Sequence, residues 1–422
     1  MNIDNKLLEK LRNELRKQRS GLQRYKDYYD GKHSILNTYT EQEDQANMKL
    51  VFNFPKKFVT NMAGYSLGTP LTYISRTGKD QAVHDIELNF SHWEKAHNQK
   101  LSKEADIYGE AYEINYINAD GEFASVVATP MTMYILTDGS EERNVTAAIH
   151  TFKKPFDDAE YLDVYTEDKI IHYKDDNLTL IGTDTHIFGR VPINIFRAND
   201  ESECIYNDII TLVDAYNVIN SDLTNEISDH RNAMIKVLGA KLDDEEEIKK
   251  LKKYGILNVP TGADVDWLIK NINDTFVQNT LTNIEKKIYD LMDQVNFNEQ
   301  WASNTSNVAL KNKLLALSHR CSLKESLFEK AIMQRLKNFF TYLGVKQAKK
   351  VDYRDIKVKF TRNLPFDIVS TADAVSKLEN IVSQETLLSL LPFVENPALE
   401  IEKFNKEREN NRISLDGAFN AE

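Results

Sequence analysis

Residues 296–310 read NFNEQWASNTSNVAL, and the fold turns on what this stretch separates. Before it, Leu281, Ile284, Ile288, Leu291 and Val295 recur in steps of three and four, the spacing of one helix face. After it, a helical pattern runs from about Val308 to Leu343 and is expected to stop at Gly344. At 1.5 Å per residue that run would span roughly 50 Å, far beyond an average helix. Between the two lies a run of Asn, Ser and Thr with one Trp. The expectation is a polar connection whose Trp301 packs at its base while its small polar residues face outward.

Upstream, the same grammar appears once more. From Ile209, the apolar residues Leu212, Tyr216, Ile219, Leu223 and Ile227 recur in three-four steps, with Asn, Asp, Ser and Thr between them. So narrow a stripe suits a helix packed along one seam. A small mixed unit follows Gly239: the charged helix DDEEEIKKLKK at 243–253, then segments at 255–259 and 265–269 around Pro260-Thr261-Gly262. Glu245 with Lys249 and Glu246 with Lys250 are i,i+4 pairs that support an exposed helix. An insert between two similar helices predicts that these run antiparallel and carry it at their far end.

The first half mixes helices and strands. Helices are expected at 3–30, 53–65 and 82–108, and short strands at 71–74, 133–137, 145–152, 161–165, 169–174 and 178–182. Asn118-Ala119-Asp120-Gly121 between two alternating runs, 111–117 and 122–128, is a hairpin signal. These features predict an α+β domain of roughly 200 residues. Further on, a strand is expected at 356–360, helices at 370–382 and 384–391, and a polar charged tail from Glu400.

Composition bounds the function. The chain has 422 residues, a hydrophobic fraction of 41% and an aromatic fraction of 10%, which describes a globular protein. Its net charge of −12 argues against a protein that coats nucleic acid through many phosphate contacts, though not against one that lets DNA pass. Two distant cysteines, Cys204 and Cys321, imply a reducing compartment and no disulfide framework. The opening MNIDNKLLEKLRNELRKQ has no apolar core and is not read as a signal peptide. With no long apolar run, no membrane span is expected, and the protein is expected to be cytosolic when made.

Catalytic constellations are not found. There is no phosphate loop, dinucleotide fingerprint, HExxH or paired CxxC. His92 and His97 are spaced poorly for one metal on a helix face, and Asp120-Gly121 lacks the alternating ligands of a calcium loop. The acidic run at 243–247 reads as a solvated helix face. The expectation is no enzyme, no cofactor and no metal.

Tyr25–Leu36 (YKDYYDGKHSIL) and Asn53–Leu71 (NFPKKFVTNMAGYSLGTPL) resemble the N-terminal signature of tailed-bacteriophage portal proteins, in the branch of long-tailed phages and prophages of Gram-positive bacteria. Later landmarks follow in order. They are Asp106–Tyr112 (DIYGEAY), Gly189–Ile193 (GRVPI) leading to Leu212–Asn217 (LVDAYN), Arg362–Pro365 (RNLP), Ser383–Thr386 (SQET) and Leu391–Val394 (LPFV). Together they cover nearly the whole chain.

The resemblance implies an architecture: a portal-type ring subunit with an α+β wing, an antiparallel helical stem, a small α/β clip, a long wing-crossing helix and a helical crown. Its parts would be the wing at 1–204, the first stem helix at 205–232, the clip at 233–277 and the second stem helix at 278–296. A tunnel loop at 297–307, the long helix and a wing strand at 308–366, and the crown and tail at 367–422 would follow. Asp222, Glu226 and Asp229 would face the channel and repel phosphate. Asn298, Glu299, Gln300, Ser303, Asn304, Thr305, Ser306 and Asn307 would form the tunnel loop toward the DNA. Asn307 stands where the family often has Gly, and Asn also tolerates a positive-φ turn. Lys249, Lys250, Lys252 and Lys253 would dock partners at the clip.

The implied partners are further copies in a ring, usually of twelve, double-stranded DNA in the channel, the terminase large subunit, a head-completion adaptor, and the major capsid and scaffold proteins. No membrane partner is implied. The implied place is the portal vertex of the virion, and the host cytoplasm during assembly. Two other classes stay open on residues alone: a non-ring minor capsid or scaffold-associated protein, and a DNA-processing enzyme whose site is dispersed.

Overall fold

Alternating apolar and polar residues in the first half build two antiparallel sheets, as the α+β expectation requires. In the computed structural model, the described residues are 4–38, 46–78, 80–175, 177–230, 235–238, 262, 264–267, 274–296, 312–362, 368–379, 381–391, 394, 397 and 400–409. The chain divides into two compact units: 1–26, 55–207 and 293–422 form the first, and 27–54 with 208–292 the second. Residues 27–54, which the sequence reading keeps with the first 204, therefore group with the second unit.

In the first unit, β2 (Glu110–Ile117) and β3 (Phe123–Ala128) form the expected hairpin, with Tyr112 opposite Ala128. Its turn is organised by Asn118, whose Oδ1 accepts from the backbone N–H groups of Asp120 and Glu122 at 3.0 and 2.8 Å. A third strand, β9 (Ile193–Arg197), pairs with the other edge of β2. The sequence reading treated Gly189–Ile193 only as a lead-in to a helix and passed over this strand, which Pro192 immediately precedes and so disguises as a loop. Strands β4 (Met133–Thr137), β5 (Val145–Lys153), β6 (Glu160–Tyr165), β7 (Lys169–Lys174) and β8 (Thr179–Thr185) form a meander in chain order. Tyr112, Ile114, Met133, Ala148, Tyr165 and Ile193 pack in one core cluster drawn from both sheets. Across another part of the meander, Leu8, Leu11 and Leu15 of α1 (Asn5–Tyr29) pack on Ile149, Leu162 and Val164.

The helix expected at 82–108 is two helices, α4 (Asp80–Phe90) and α5 (Glu94–Tyr108). No Pro or Gly marks the break. The Trp93 indole N–H instead takes the Asn89 carbonyl at 2.9 Å, the acceptor that Trp93's own backbone N–H would use in a continuous helix. That N–H turns to Phe90 O at 3.1 Å. Gly109 then ends α5 at φ 89°, where a Cβ would lie 2.0 Å from the Ser202 carbonyl oxygen. Only glycine fits there.

After the one-turn helix α2 (Ile35–Thr38), helix α3 (Phe54–Leu67) and strand β1 (Thr72–Ser75) stand close to their expected bounds, and β1 pairs antiparallel with β12 (Ile356–Lys359). The long helix spans Leu315–Gln347 and does not stop at Gly344; it ends at Ala348, whose φ is 54°. The extra turn is tied down by Lys346, whose Nζ donates to Gly121 O and Tyr342 Oη at 2.8 and 2.7 Å. Near the C-terminus lie helices Ile368–Leu378 and Gln384–Ser389, the latter capped by Ser383, and residues 400–409 are helical.

The second unit holds α6 (Ile210–His230), the antiparallel strands β10 (Ile235–Leu238) and β11 (Asp264–Trp267), and α7 (Asp274–Leu291). Here α6 packs on α7. The helix expected at 243–253 and the segment at 255–259 lie outside the described residues.

Candidate stem helices and a buried charge network

The face of α6 that is buried is not its apolar seam. Val213, Asn217, Ser221 and Asn225 are buried, whereas Leu212, Tyr216, Ile219 and Leu223 are half-buried and Ile227 is exposed. The sequence reading packs α6 along the seam of Leu212, Tyr216, Ile219, Leu223 and Ile227. In the structure the polar row is the more buried of the two, because segment 46–53, which pairs with no strand among the described residues, runs along it. The segment's backbone donors find partners on the helix, part-buried hydrogen bonds of a kind worth about 0.5–1.5 kcal/mol net.

Three side chains supply them. Asn217 Oδ1 accepts from Phe52 N at 2.9 Å, Ser221 Oγ from Leu50 N at 2.9 Å, and Asn225 Oδ1 from Met48 N at 2.6 Å. The match is geometric: two extended residues advance about 6.6 Å and four helical residues about 6 Å. Asn225 Nδ2 also returns a hydrogen bond to Met48 O at 3.2 Å. Around the same helix, Tyr28 Oη and Ser34 Oγ both donate to Asp214, and Asn217 Nδ2 lies 2.8 Å from His33 Nδ1. Phe54 bridges α6 and α7 through edge contacts to Tyr216 and Tyr289.

One position on from this buried row, about a quarter turn around the helix, stands Asp222. It is exposed, and Glu226, one turn on, is half-buried. Partial burial, and then the like charge of Glu226, push the Asp222 carboxyl above its ordinary range. The side chain of Asp229 lies outside the described residues, as do Asn298, Glu299, Gln300, Ser303, Asn304, Thr305, Ser306, Asn307 and Trp301. Lys249, Lys250, Lys252 and Lys253 lie outside them too.

In the first unit, sequence reading missed a set of buried charges along Leu315–Gln347. Lys324 Nζ contacts Asp106 Oδ1 at 2.6 Å and Ser102 Oγ at 2.7 Å. Arg335 donates to Glu113 at 2.8 Å, Glu94 at 2.7 Å and Asn98 at 2.7 Å. Asn338 Nδ2 donates to Asn115 Oδ1, which also accepts from Asn194. Burial would raise the Glu113 carboxyl, but Arg335, His97 and Asn194 hold it down at about 2. At Glu94 burial wins over Arg335 and the carboxyl is raised; at Asp106 it wins over Lys324 in the same way. The visible signal was basic residues at 324 and 335 inside an apolar helical pattern, which periodicity alone assigns to a solvated side.

Chemically this network positions the long helix: Glu113 and Glu94 are held by the Arg335 guanidinium and by amides, and Asp106 is held through Oδ1 by Lys324 while its buried Oδ2 has no hydrogen-bond partner. Among the described residues no group of His, Cys, Asp and Glu could hold a metal ion, and no helix is long and apolar enough to cross a membrane.

Residues 8–413 match the model of the family described as phage portal protein, SPP1 Gp6-like. The portal protein of Clostridium phage phiCD119 is 24% identical over 411 residues, covering 88% of this chain and 89% of that one. The portal protein of Bacillus phage SPP1 is 22% identical over 413 residues, covering 90% and 79%. A chain in the virion of a native gene transfer agent particle superposes with a TM-score of 0.46 at 12% identity, covering 79% of this chain and 88% of that one. Matched along almost its whole length, the chain belongs to the SPP1 Gp6-like family of phage portal proteins.

Proposed function

We propose that this portal protein assembles into a ring of twelve copies at one capsid vertex and forms the channel through which double-stranded DNA is packaged and ejected. The observation that carries the ring is the half-exposed apolar seam of α6, which ends in Ile227 at 58% exposure while the polar row beside it is consumed within the subunit. Such a seam suits the flank of an identical neighbour, since a contiguous apolar stripe left to water is costly. In this reading α6 and α7 are the stem, 233–277 the clip, 297–307 the tunnel loop, and 367–422 the crown. The first 204 residues, with Leu315–Gln347 and β12, supply most of the wing.

Asp222 and Glu226, with Asp229, face the channel, where negative charge keeps phosphate sliding instead of gripped. The chain itself performs no covalent chemistry; the force comes from a terminase motor that docks at the clip, later replaced by a head-completion adaptor. Lys249, Lys250, Lys252 and Lys253 supply the docking charge there, and reversing them weakens binding of both partners. Unchanged binding to both counts against that assignment. Major capsid and scaffold proteins surround the wing at the vertex, and assembly takes place in the host cytoplasm.

Electron microscopy of the purified protein tests the ring. Particles with a central hole support it; a strict monomer under every assembly condition, with no rings in virions, overturns it.

A further inference from the structure

Helix α1 runs against the charge of the whole molecule. The chain carries a net charge of −12, yet Asn5–Tyr29 holds eight Lys and Arg against three Asp and Glu. These cations divide by face. Arg12 and Arg19 lie toward the meander, where both approach Glu160, at 4.0 and 3.5 Å, and Arg19 Nε donates to Met131 O at 2.6 Å. Arg16 is exposed about 100° away from the others and Lys26 is half-buried, while Lys6, Lys10, Lys17 and Arg24 are exposed together. At about 100° per residue they fall within about 40° of one another, opposite Leu8, Leu11 and Leu15, which bury the other face. The steps from residue 10 to 17 to 24 are of seven, so the stripe runs nearly parallel to the axis for about 27 Å from Lys6 to Arg24.

Asn13 and Ser20 fill the places between these cations, and no aromatic or aliphatic side chain interrupts the stripe. Glu9 and Glu14 flank it, and Glu14 contacts Lys17 at 2.7 Å. A protein partner is normally held by an apolar or aromatic anchor in a pocket, and this face has none. Lys, Arg, Asn and Ser are the residue types that bind phosphate oxygens.

We infer that this stripe is a second DNA contact, a phosphate-backbone binding surface for duplex DNA on a unit separate from the one that holds α6 and α7. It goes beyond the channel reading, and it can hold or fail whether or not the chain forms rings.

The test uses the full-length protein and a fluorescent 30-base-pair duplex, with anisotropy measured from 50 to 200 mM salt. One variant is K10Q/K17Q/R24Q; the control, K95Q/K100Q/K357Q, removes the same charge from exposed lysines elsewhere on the first unit. Circular dichroism confirms that both fold. The stripe variant should lose about tenfold or more in affinity and flatten the log-log salt slope by about 2–3, as expected when as many phosphate contacts are lost. The control should stay within about twofold of the unaltered protein. Equal weakening by both variants, an unaltered stripe variant, or no binding at 50 mM salt overturns the inference. If the stripe variant instead changes only the oligomeric state, the stripe serves a second copy of the chain and the DNA assignment is wrong.

Discussion

Arg335 Nε donates to Glu113 Oε1 across 2.8 Å, and neither side chain touches solvent. The two residues lie 222 positions apart, so this contact fastens the long helix to the hairpin strand β2. The second arm of the guanidinium holds Glu94 on α5. One planar fork thus fixes three elements at once, which a lysine could not do with the same geometry.

Replacing Arg335 with Met should therefore be severe. Glu113 and Glu94 would be left buried without their cation, and breaking such a pair costs about 3–5 kcal/mol. Denaturant melts should show that loss for Arg335→Met and recover much of it in the triple variant R335M/E94Q/E113Q, where neither carboxylate is left without its cation. A single variant as stable as the unaltered protein would show that the network does not hold the helix.

The ladder on α6 makes a local prediction. Asn217→Ala removes the acceptor of Phe52 N, and Asn225→Ala removes both bonds to Met48. Each should destabilise by about 0.5–1.5 kcal/mol, the net worth of a part-buried hydrogen bond. Hydrogen exchange should localise the effect, with amide 52 losing protection first in one variant and amide 48 first in the other. Uniform loss across the chain in both would mean that the segment has no local stability of its own.

How far these features were legible in sequence follows from what period and type report. Most of the described helices, the hairpin and the meander strands show as periods of 3.6 and 2 and stand close to their expected places, whereas the break at Trp93 carries no Pro or Gly to announce it. The polar row Asn217, Ser221, Asn225 is not legible as a buried face, because a four-residue polar repeat looks identical whether it meets water or a peptide backbone. Its partner, Met48–Phe52, has no period that would reveal it. Arg335 was invisible for a similar reason, since its neutralising acids sit on other elements. The resemblance to portal proteins reached the family through ordered short motifs, where the physics of single residues had stopped at an α+β protein without catalytic groups.

His33 links that ladder to pH. Its ring is buried, stacks on Tyr28 at 4.7 Å, lies 3.0 Å from Tyr28 O through Nε2, and meets the Asn217 amide through Nδ1. Burial lowers its pKa below the usual 6.5, with the Tyr28 carbonyl and the Asp214 charge opposing. A histidine whose folded pKa is depressed binds its proton more readily when unfolded. Its stabilising contribution is complete above about pH 6.5 and drains away as pH falls from there toward the folded value. Protonated Nδ1 can no longer accept from Asn217, whose other end holds Phe52. Protection of amide 52, corrected for intrinsic exchange, should thus fall below about pH 6.5. In His33→Asn that dependence should vanish. A flat profile in the unaltered protein, or the same fall in the variant, would exclude His33 as the source.

On the proposed channel reading, residues 297–307 between α7 and the long helix are the tunnel loop, and their composition carries a functional prediction. Asn, Ser and Thr offer short hydrogen-bonding groups with almost no charge, so contacts to a passing phosphate backbone would be brief and exchangeable. The long helix that follows is fixed by Lys324 and Arg335 well beyond its start, so altering the segment leaves its anchorage intact. Replacing Asn304–Asn307 with a short glycine linker should for that reason preserve ring formation while impairing DNA packaging or retention. Electron microscopy would score the rings, and DNA content per particle would score the function. Normal DNA content in particles that carry the variant would remove any working role from this segment, whereas loss of the rings would make it a structural joint of the subunit instead.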